Sequence, residues 1–407
     1  MSNSYSIFFY EGYVSVAPTI INLAKSLNDS GHYVTIYATE NPFDKLEKIG
    51  DKTTIIYFRK AFDIPLILKT LKILYKLKIE TIIPIIEILC FIIHYFIHII
   101  RNKKFKGLKD DISIGVDTNG SILALIKSYF FRKNFIYLSL ELNDPLLLQK
   151  FAKIVNALEQ LAYRKAEGVI VQDEDRFKTL CEYNHYQHSK VFYLPNSASS
   201  SDSLLQNTQS PNYFRELLHL SEEEFPYIIL QVGWIDEDTF LKLAQAFAST
   251  NKGYALVFHE RLKREIDDPL IKSLREVNSR NLFLSLNPLP YEQISRIYES
   301  ATIGLIFYSD INNNLSQISR ASGKLSYFLK HGKPVLVENL NSLYELVEKY
   351  KIGLVVNDPS NLLEIESAIE IILSNYNYYS ENAKNCFSEE FDFAKKVKPI
   401  LSFLEKA

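Results

Sequence analysis

Apolar residues fall into short runs separated by stretches of helical period, and this alternation persists along almost the whole chain. Ser6 to Tyr10 is a short apolar run, Glu11-Gly12-Tyr13 reads as a turn, and Pro18 to Asn28 carries apolar residues at helical spacing, ending at Ser30-Gly31. Strand, loop and helix in that order open a doubly wound α/β unit. Further strands are expected at Tyr33 to Ala38, Thr53 to Phe58, Ile112 to Val116, Phe135 to Leu140, Gly168 to Gln172 and Lys190 to Leu194. Helical patterns over Gly120 to Tyr129 and Leu146 to Lys165 separate some of them, which predicts a Rossmann-like domain over residues 1–198.

Pro195 to Pro211 is rich in Ser and Asn and is followed by Pro226, so residues 199–225 are expected to be a linker with no core to bury. A second series then begins, with strands expected at Tyr227 to Val232, Tyr254 to His259, Leu282 to Leu286, Ile303 to Phe307, Pro334 to Val337 and Gly353 to Val356. The expected fold class is α/β: two Rossmann-like domains, the second over residues 226–390, facing each other across a cleft at the carboxyl ends of both sheets.

Residues 64–109 interrupt the first domain. Ile82 to Ile100 runs nineteen residues with Glu87 as the only fully charged side chain, a length that nearly reaches a membrane span. Pro84, Glu87, His94 and His98 argue against a lipid-facing span. Lys69, Lys72 and Lys76 share one helical face opposite leucine and isoleucine, and Arg101, Lys103 and Lys104 follow the apolar run. An apolar hairpin between basic clusters suits a helix lying in a membrane interface, where buried area and attraction to anionic lipid add. A helix pair packed on the first sheet, with a solvated basic face, is the alternative.

The 407 residues hold 46 Lys+Arg against 48 Asp+Glu, a net charge of −2 that argues against a nucleic-acid binder driven by global charge. Cys90, Cys181 and Cys386 are too scattered for zinc or redox spacing and are expected to be reduced thiols. Met1 to Ser6 has no basic patch before an apolar run, so a cytoplasmic location is expected, with peripheral attachment to the inner membrane face. There is no Walker loop, no Gly-x-Gly-x-x-Gly after the first strand, no His-Glu-x-x-His, no Gly-x-Ser-x-Gly and no CxxC pair. Neither metal nor cofactor is expected.

Several fragments, in order, resemble the GT-B glycosyltransferases, in particular the retaining family 4 type. Ile114-Gly115-Val116-Asp117 with Gly120 opening a helix, Tyr137 to Glu141, Glu167 to Glu174, and Leu194-Pro195-Asn196 resemble the acceptor domain of that family. Leu230-Gln231-Val232-Gly233 resembles the start of its donor domain, and Ser322 to Val335 its donor-site helix and following strand. The resemblance implies transfer of a sugar from a nucleotide sugar to a glycan or lipid-linked acceptor, and a C-terminal helix, residues 391–407, packing back towards the first domain. The chain also departs from the pattern. Tyr327 and Ser319 stand where the family usually has glutamates, Gly233-Trp234-Ile235-Asp236 lacks its Arg/Lys pair, and no histidine lies between His98 and His185.

Ser322, Gly323 and Lys324 open a helix and are assigned to the donor diphosphate, because a helix start directs N–H groups at an anion and lysine adds a point charge; an ordinary helix N-cap with a solvated lysine is the alternative. Arg320 is a second candidate cation, and Ser319 and Tyr327 occupy donor-site positions. Gly233, His259, Pro288 and Leu289 are expected to line the donor pocket, although a turn or a structural histidine is the alternative at each. Asp117 and Glu141, at two strand ends, are the candidate catalytic carboxylates, or else helix caps. Glu11, Gly12 and Asn119 are expected near the acceptor. The other functional class is a GT-B scaffold that lost donor chemistry and partners another glycosyltransferase. An epimerase or hydrolase on the same fold is a third.

Overall fold

Runs such as Ser6-Ile7-Phe8 show no polar alternation, and a strand of that kind must be covered on both faces, as happens in parallel sheets between helices. The computed structural model, which describes residues 2–41, 46, 48–60, 83–101, 111–145, 152–200, 212–308 and 313–406, uses them in this way. The chain divides into two compact units, Met1–Pro195 with Ala394–Ala407, and Asn196–Phe393.

In the first unit the strands are β1 (Ser4–Phe9), β2 (Tyr33–Thr39), β3 (Thr53–Phe58), β4 (Asp111–Val116), β5 (Phe135–Leu138), β6 (Gly168–Val171) and β7 (Val191–Tyr193). They pair in parallel in the order β3-β2-β1-β4-β5-β6-β7. Strand order reverses between β1 and β4, so the crevice at their carboxyl ends is where an α/β sheet offers a ligand site. The covering helices include α1 (Pro18–Asp29), α2 (Ile83–Arg101), α3 (Asp117–Phe131), α4 (Ala152–Lys165) and α5 (Glu174–Asn184). Helix α3 sits hard against β1: a Cβ on Gly120 would lie 2.1 Å from the carbonyl oxygen of Phe8, so only glycine permits this approach. In the C-terminal segment the Tyr5 hydroxyl donates to the Leu404 carbonyl at 3.3 Å, and Phe403 lies against Phe192.

The second unit has β8 (Tyr227–Gly233), β9 (Tyr254–Glu260), β10 (Leu282–Ser285), β11 (Ile303–Ile306), β12 (Val335–Glu338) and β13 (Gly353–Val356), parallel in the order β10-β9-β8-β11-β12-β13. Its reversal falls between β8 and β11, with Gly233 and Phe307-Tyr308 at the strand ends there.

Two expectations change. Strand β5 stops at Leu138, two residues early, because the Leu140 N–H bonds to the Asp117 side chain instead of a neighbouring strand. The segment expected to be a linker without a core has one: α6 (Tyr213–Leu218) buries Phe214 completely, and Leu220 and Phe225 join the same core. Asn196 to Ser200 is likewise tied down, with the Ala198 N–H donating to Ser326 Oγ at 3.1 Å. Residues 201–211 and most of the 64–109 insertion, with Lys69, Lys72, Lys76, Lys103 and Lys104, lie outside the described residues. Among the described residues no helix is long and apolar enough to cross a membrane.

Candidate functional site

In the first unit, Asp117 leaves β4 with φ +49°, a conformation unfavourable for a residue with a Cβ, and its side chain is buried. Its Oδ1 accepts from the N–H groups of Leu140 (2.6 Å) and Glu141 (3.1 Å). Burial pushes the Asp117 carboxyl well above its ordinary range and the charge of Glu141 adds to this, while the two N–H groups pull it back. Asp117 therefore positions the turn after β5, and Glu141 is presented at the surface of that turn.

Three further side chains converge on the same turn or on the first turn of α3, and the sequence patterns did not mark them. Arg176 is completely buried: its Nε donates to Gln172 Oε1 at 2.7 Å and its Nη2 to the Leu140 carbonyl at 2.9 Å. Gln172 Nε2 donates to the Ser139 carbonyl at 2.6 Å. Glu159, buried on α4, accepts from the Tyr137 hydroxyl (2.6 Å) and Thr118 Oγ1 (2.7 Å), and burial raises its pKa. The usable signal was Glu159 itself, a carboxylate sharing the buried helical face of Val155, Ala162 and Tyr163. Asn119 is half-buried in the first turn of α3, and Glu11 is exposed. Gly12 has φ +79°, and a Cβ there would meet the Thr39 carbonyl at 2.3 Å, so the tight turn accounts for this glycine.

In the second unit, Ser322 caps α7 (Gly323–Lys330) by accepting from the Leu325 N–H at 3.2 Å, and its Oγ also meets the Tyr308 hydroxyl at 2.7 Å. Lys324 Nζ donates to the Phe307 carbonyl at 3.2 Å and stands 3.9 Å from the centroid of the Tyr308 ring. Among the described residues no carboxylate lies within ion-pair distance of it, and burial brings its pKa down to about 7 against the charges of Asp236 and Glu338. Gln231 Nε2 donates to the same Phe307 carbonyl at 3.3 Å, while its Oε1 is buried without a partner. Gly233 closes β8 with φ +151°, and no atom lies within 4 Å of where its Cβ would be, so backbone is open to a ligand there. An ammonium with no carboxylate partner among the described residues and an open glycine at one switch point form an anion-accepting corner, while the Gln231 Oε1 there can accept only from a donor.

Six expected donor residues have other surroundings. His259 is interior, with Nδ1 2.9 Å from Ser285 Oγ and Phe214 edge-on, and burial pushes its pKa down to about 4; it links β9 to β10 as a neutral ring. Tyr327 stacks on Tyr298 at 4.9 Å and donates to the Tyr291 hydroxyl, inside the core. Arg320 pairs with Glu390 at 3.4 Å, so its charge already has a counter-ion, and Ser319 is fully buried beside it. Pro288 and Leu289 are half-buried after β10, where Leu289 packs on the core. The described residues contain no group of three or more His, Cys, Asp or Glu able to hold a metal.

The first unit also carries an apolar face. Leu89, Ile93, Ile97 and Ile100 are exposed along α2, Tyr129 and Phe130 at the end of α3, and Ile154, Leu158 and Leu161 along α4. The exposed charges on or just after these helices are basic, namely Arg101, Arg132, Lys133, Lys153, Arg164 and Lys165, and no carboxylate on them is exposed.

Comparison with known proteins agrees with this geometry. Residues 274–390 match the family described as Glucosyltransferase 3-like, C-terminal domain. No curated protein matches the sequence. Among solved structures, the chain is similar to sucrose-phosphate synthase from Thermosynechococcus elongatus (TM-score 0.68, 13% identity, 99% of this chain and 98% of that one). It is also similar to a glycosyltransferase from Rickettsia africae (TM-score 0.65, 14% identity, 99% and 98%). Anabaena HepE in complex with UDP-glucose gives a TM-score of 0.64 at 14% identity, over 99% of this chain and 100% of that one. Two α/β units with wholly parallel sheets, matched end to end by such neighbours, give the chain the GT-B glycosyltransferase fold.

Proposed function

We propose that the protein is a glycosyltransferase that moves a sugar from a nucleotide-sugar donor to a glycan or lipid-linked acceptor at a membrane surface, in surface polysaccharide or glycoconjugate assembly. The observation that carries this is Lys324: a part-buried ammonium at the first turn of a helix, facing a switch point, with no carboxylate partner among the described residues. A diphosphate supplies the missing negative charge, and Gly233 leaves backbone open beside it. HepE, of the same fold, is held in complex with UDP-glucose, which makes a uridine nucleotide the first donor to try.

Chemically, Lys324 and the N-terminal N–H groups of α7 stabilise the departing diphosphate, and metal is not required for that charge balance. On the acceptor side Glu141 is the carboxylate placed to take the hydroxyl proton, while Asp117, Gln172 and Arg176 fix the backbone that carries it. The apolar and basic face of α2, α3 and α4 supports peripheral attachment to an anionic leaflet, which confines enzyme and lipid-linked acceptor to one surface.

A second reading is a partner subunit without transfer activity, favoured by one observation: Tyr327 and Ser319, at the family's glutamate positions, are locked in the core. Incubating the protein with radiolabelled UDP-glucose or GDP-mannose and a membrane extract separates the two. Label passing into lipid or glycan, lost on Lys324→Ala, is the expected result. No transfer from either donor, with the extract active towards an added control transferase, would favour the subunit.

A further inference from the structure

The only tryptophan of the chain, Trp234, follows Gly233 directly at the carboxyl end of β8 and is 56% exposed. An exposed indole is normally free to rotate, but this one is braced. The Arg264 guanidinium lies 4.5 Å from its ring centroid and is itself almost buried. Arg264 is fixed in turn, with Nε 3.2 Å from the buried carboxylate of Glu260 and Nη1 donating to the Ile235 carbonyl at 2.8 Å. Glu260 also accepts from the N–H groups of Ile235 and Arg261. One face of the indole is thus covered by a cation locked into the β9 end, and the side chain is otherwise open to solvent.

We infer that Trp234, braced by Arg264, is a stacking platform for the C–H face of a pyranose ring, beside the anion-accepting corner at Lys324. Glu260 and Arg264 fix the backbone after β8 and β9, and through it they hold the indole in one place. The chemistry of the loop selects the ring. Asp236, fixed by accepting from the Thr239 N–H at 2.7 Å, and the exposed Glu237 follow the indole within three residues. Carboxylates accept hydrogen bonds from sugar hydroxyls, which suits a hydroxylated ring on Trp234, while the ammonium of Lys324 suits the diphosphate. This rests on the donor reading only for the diphosphate. The ring could come from the donor or from a saccharide acceptor, and the test distinguishes them.

With one tryptophan, fluorescence excited beyond the absorption of the 26 tyrosines reports this site alone. The protein is titrated with UDP, UDP-glucose, GDP, GDP-mannose, and free glucose and maltose, with thermal stability followed on the same samples. A change in indole emission with a nucleotide sugar, at least threefold larger than with its nucleoside diphosphate, assigns the donor ring. A change with free saccharide alone assigns an acceptor ring, and either supports the platform. Trp234→Ala should weaken that ligand about tenfold, with Trp234→Phe recovering most of the loss and nucleoside diphosphate affinity staying within twofold. An equal emission change with the nucleoside diphosphate alone would assign the indole to the base and overturn the proposal. Unchanged emission with every sugar-bearing ligand and saccharide would overturn it too. Thermal stabilisation by a nucleotide in that second case leaves the donor site at Lys324 standing, and its absence removes both.

Discussion

The ammonium of Lys324 stands 3.9 Å from the ring centroid of Tyr308, and the ring takes the place that a carboxylate would otherwise fill. Aromatic contact stabilises the cation without neutralising it, and burial brings its pKa down to about 7. Donor binding must therefore depend on pH. A nucleotide sugar carries a diphosphate whose charge is constant between pH 6 and 9, so proton uptake on binding belongs to the protein. UDP-glucose affinity should fall about tenfold per pH unit above about 7, and Lys324→Arg should flatten the profile. Calorimetry in two buffers of different ionisation enthalpy measures the proton count. A flat wild-type profile contradicts a cationic grip at Lys324.

The same group has a stability consequence of opposite sign. Its folded pKa lies below the unfolded value of 10.5, so the unfolded chain binds more protons between about 7 and 10.5. Lys324 therefore lowers stability at neutral pH and the penalty is relieved as pH rises through that window. Lys324→Met should raise the melting temperature at pH 6.5 while abolishing donor binding. Unchanged or lowered stability at that pH would place the ammonium in a more solvated setting.

Glu390 behaves in the reverse sense. Burial works against its charge, but hydrogen bonds from Lys349 and Tyr350 and the charge of Arg320 hold its pKa down to about 2. Its contribution is complete above about 4.5 and is lost as pH falls towards about 2. Glu390→Gln should cost on the order of 1–2 kcal/mol at pH 7 and nothing near pH 2, read from denaturant melts at both pH values. Equal losses at both would show that the carboxylate charge is irrelevant there.

Asp117 holds two backbone N–H groups from a turn more than twenty residues away. Asn keeps an acceptor oxygen and tolerates φ +49°, so Asp117→Asn should stay within about 1 kcal/mol of wild type and retain transfer. Asp117→Ala leaves both donors unpaired and should cost about 2–3 kcal/mol. Loss of transfer in the Asn variant without loss of stability would return the role of base to Asp117, in place of Glu141.

Membrane attachment through the apolar face is tested outside the insertion. Ile154→Glu with Leu158→Glu on α4 places two charges among exposed side chains and should leave the melting temperature unchanged. Flotation with phosphatidylglycerol vesicles should fall severalfold. Unaltered flotation would assign attachment elsewhere.

The sheets were legible because their strands are short unbroken apolar runs, a pattern with few other uses. What escaped the sequence were residues whose role depends on a distant partner. Strand β5 ends early because Asp117 captures the Leu140 N–H, and nothing near Leu140 announces that. Arg176 has nothing nearby in sequence to mark it, yet Gln172 and the Leu140 carbonyl let it be fully buried. Tyr327 occupies a donor-motif position, but stacking with Tyr298 turns it into core. The start of α7 was legible because its cap, Ser322, lies in the same local motif.

The most direct test is calorimetric titration of the full chain with UDP and GDP, in EDTA and again with magnesium, on wild type and Lys324→Ala. Micromolar binding of one nucleotide, unchanged by EDTA and weakened at least a hundredfold in Lys324→Ala, is the predicted result. Binding that survives intact in Lys324→Ala, or no binding of either nucleotide at millimolar concentration, would contradict a donor site built on Lys324.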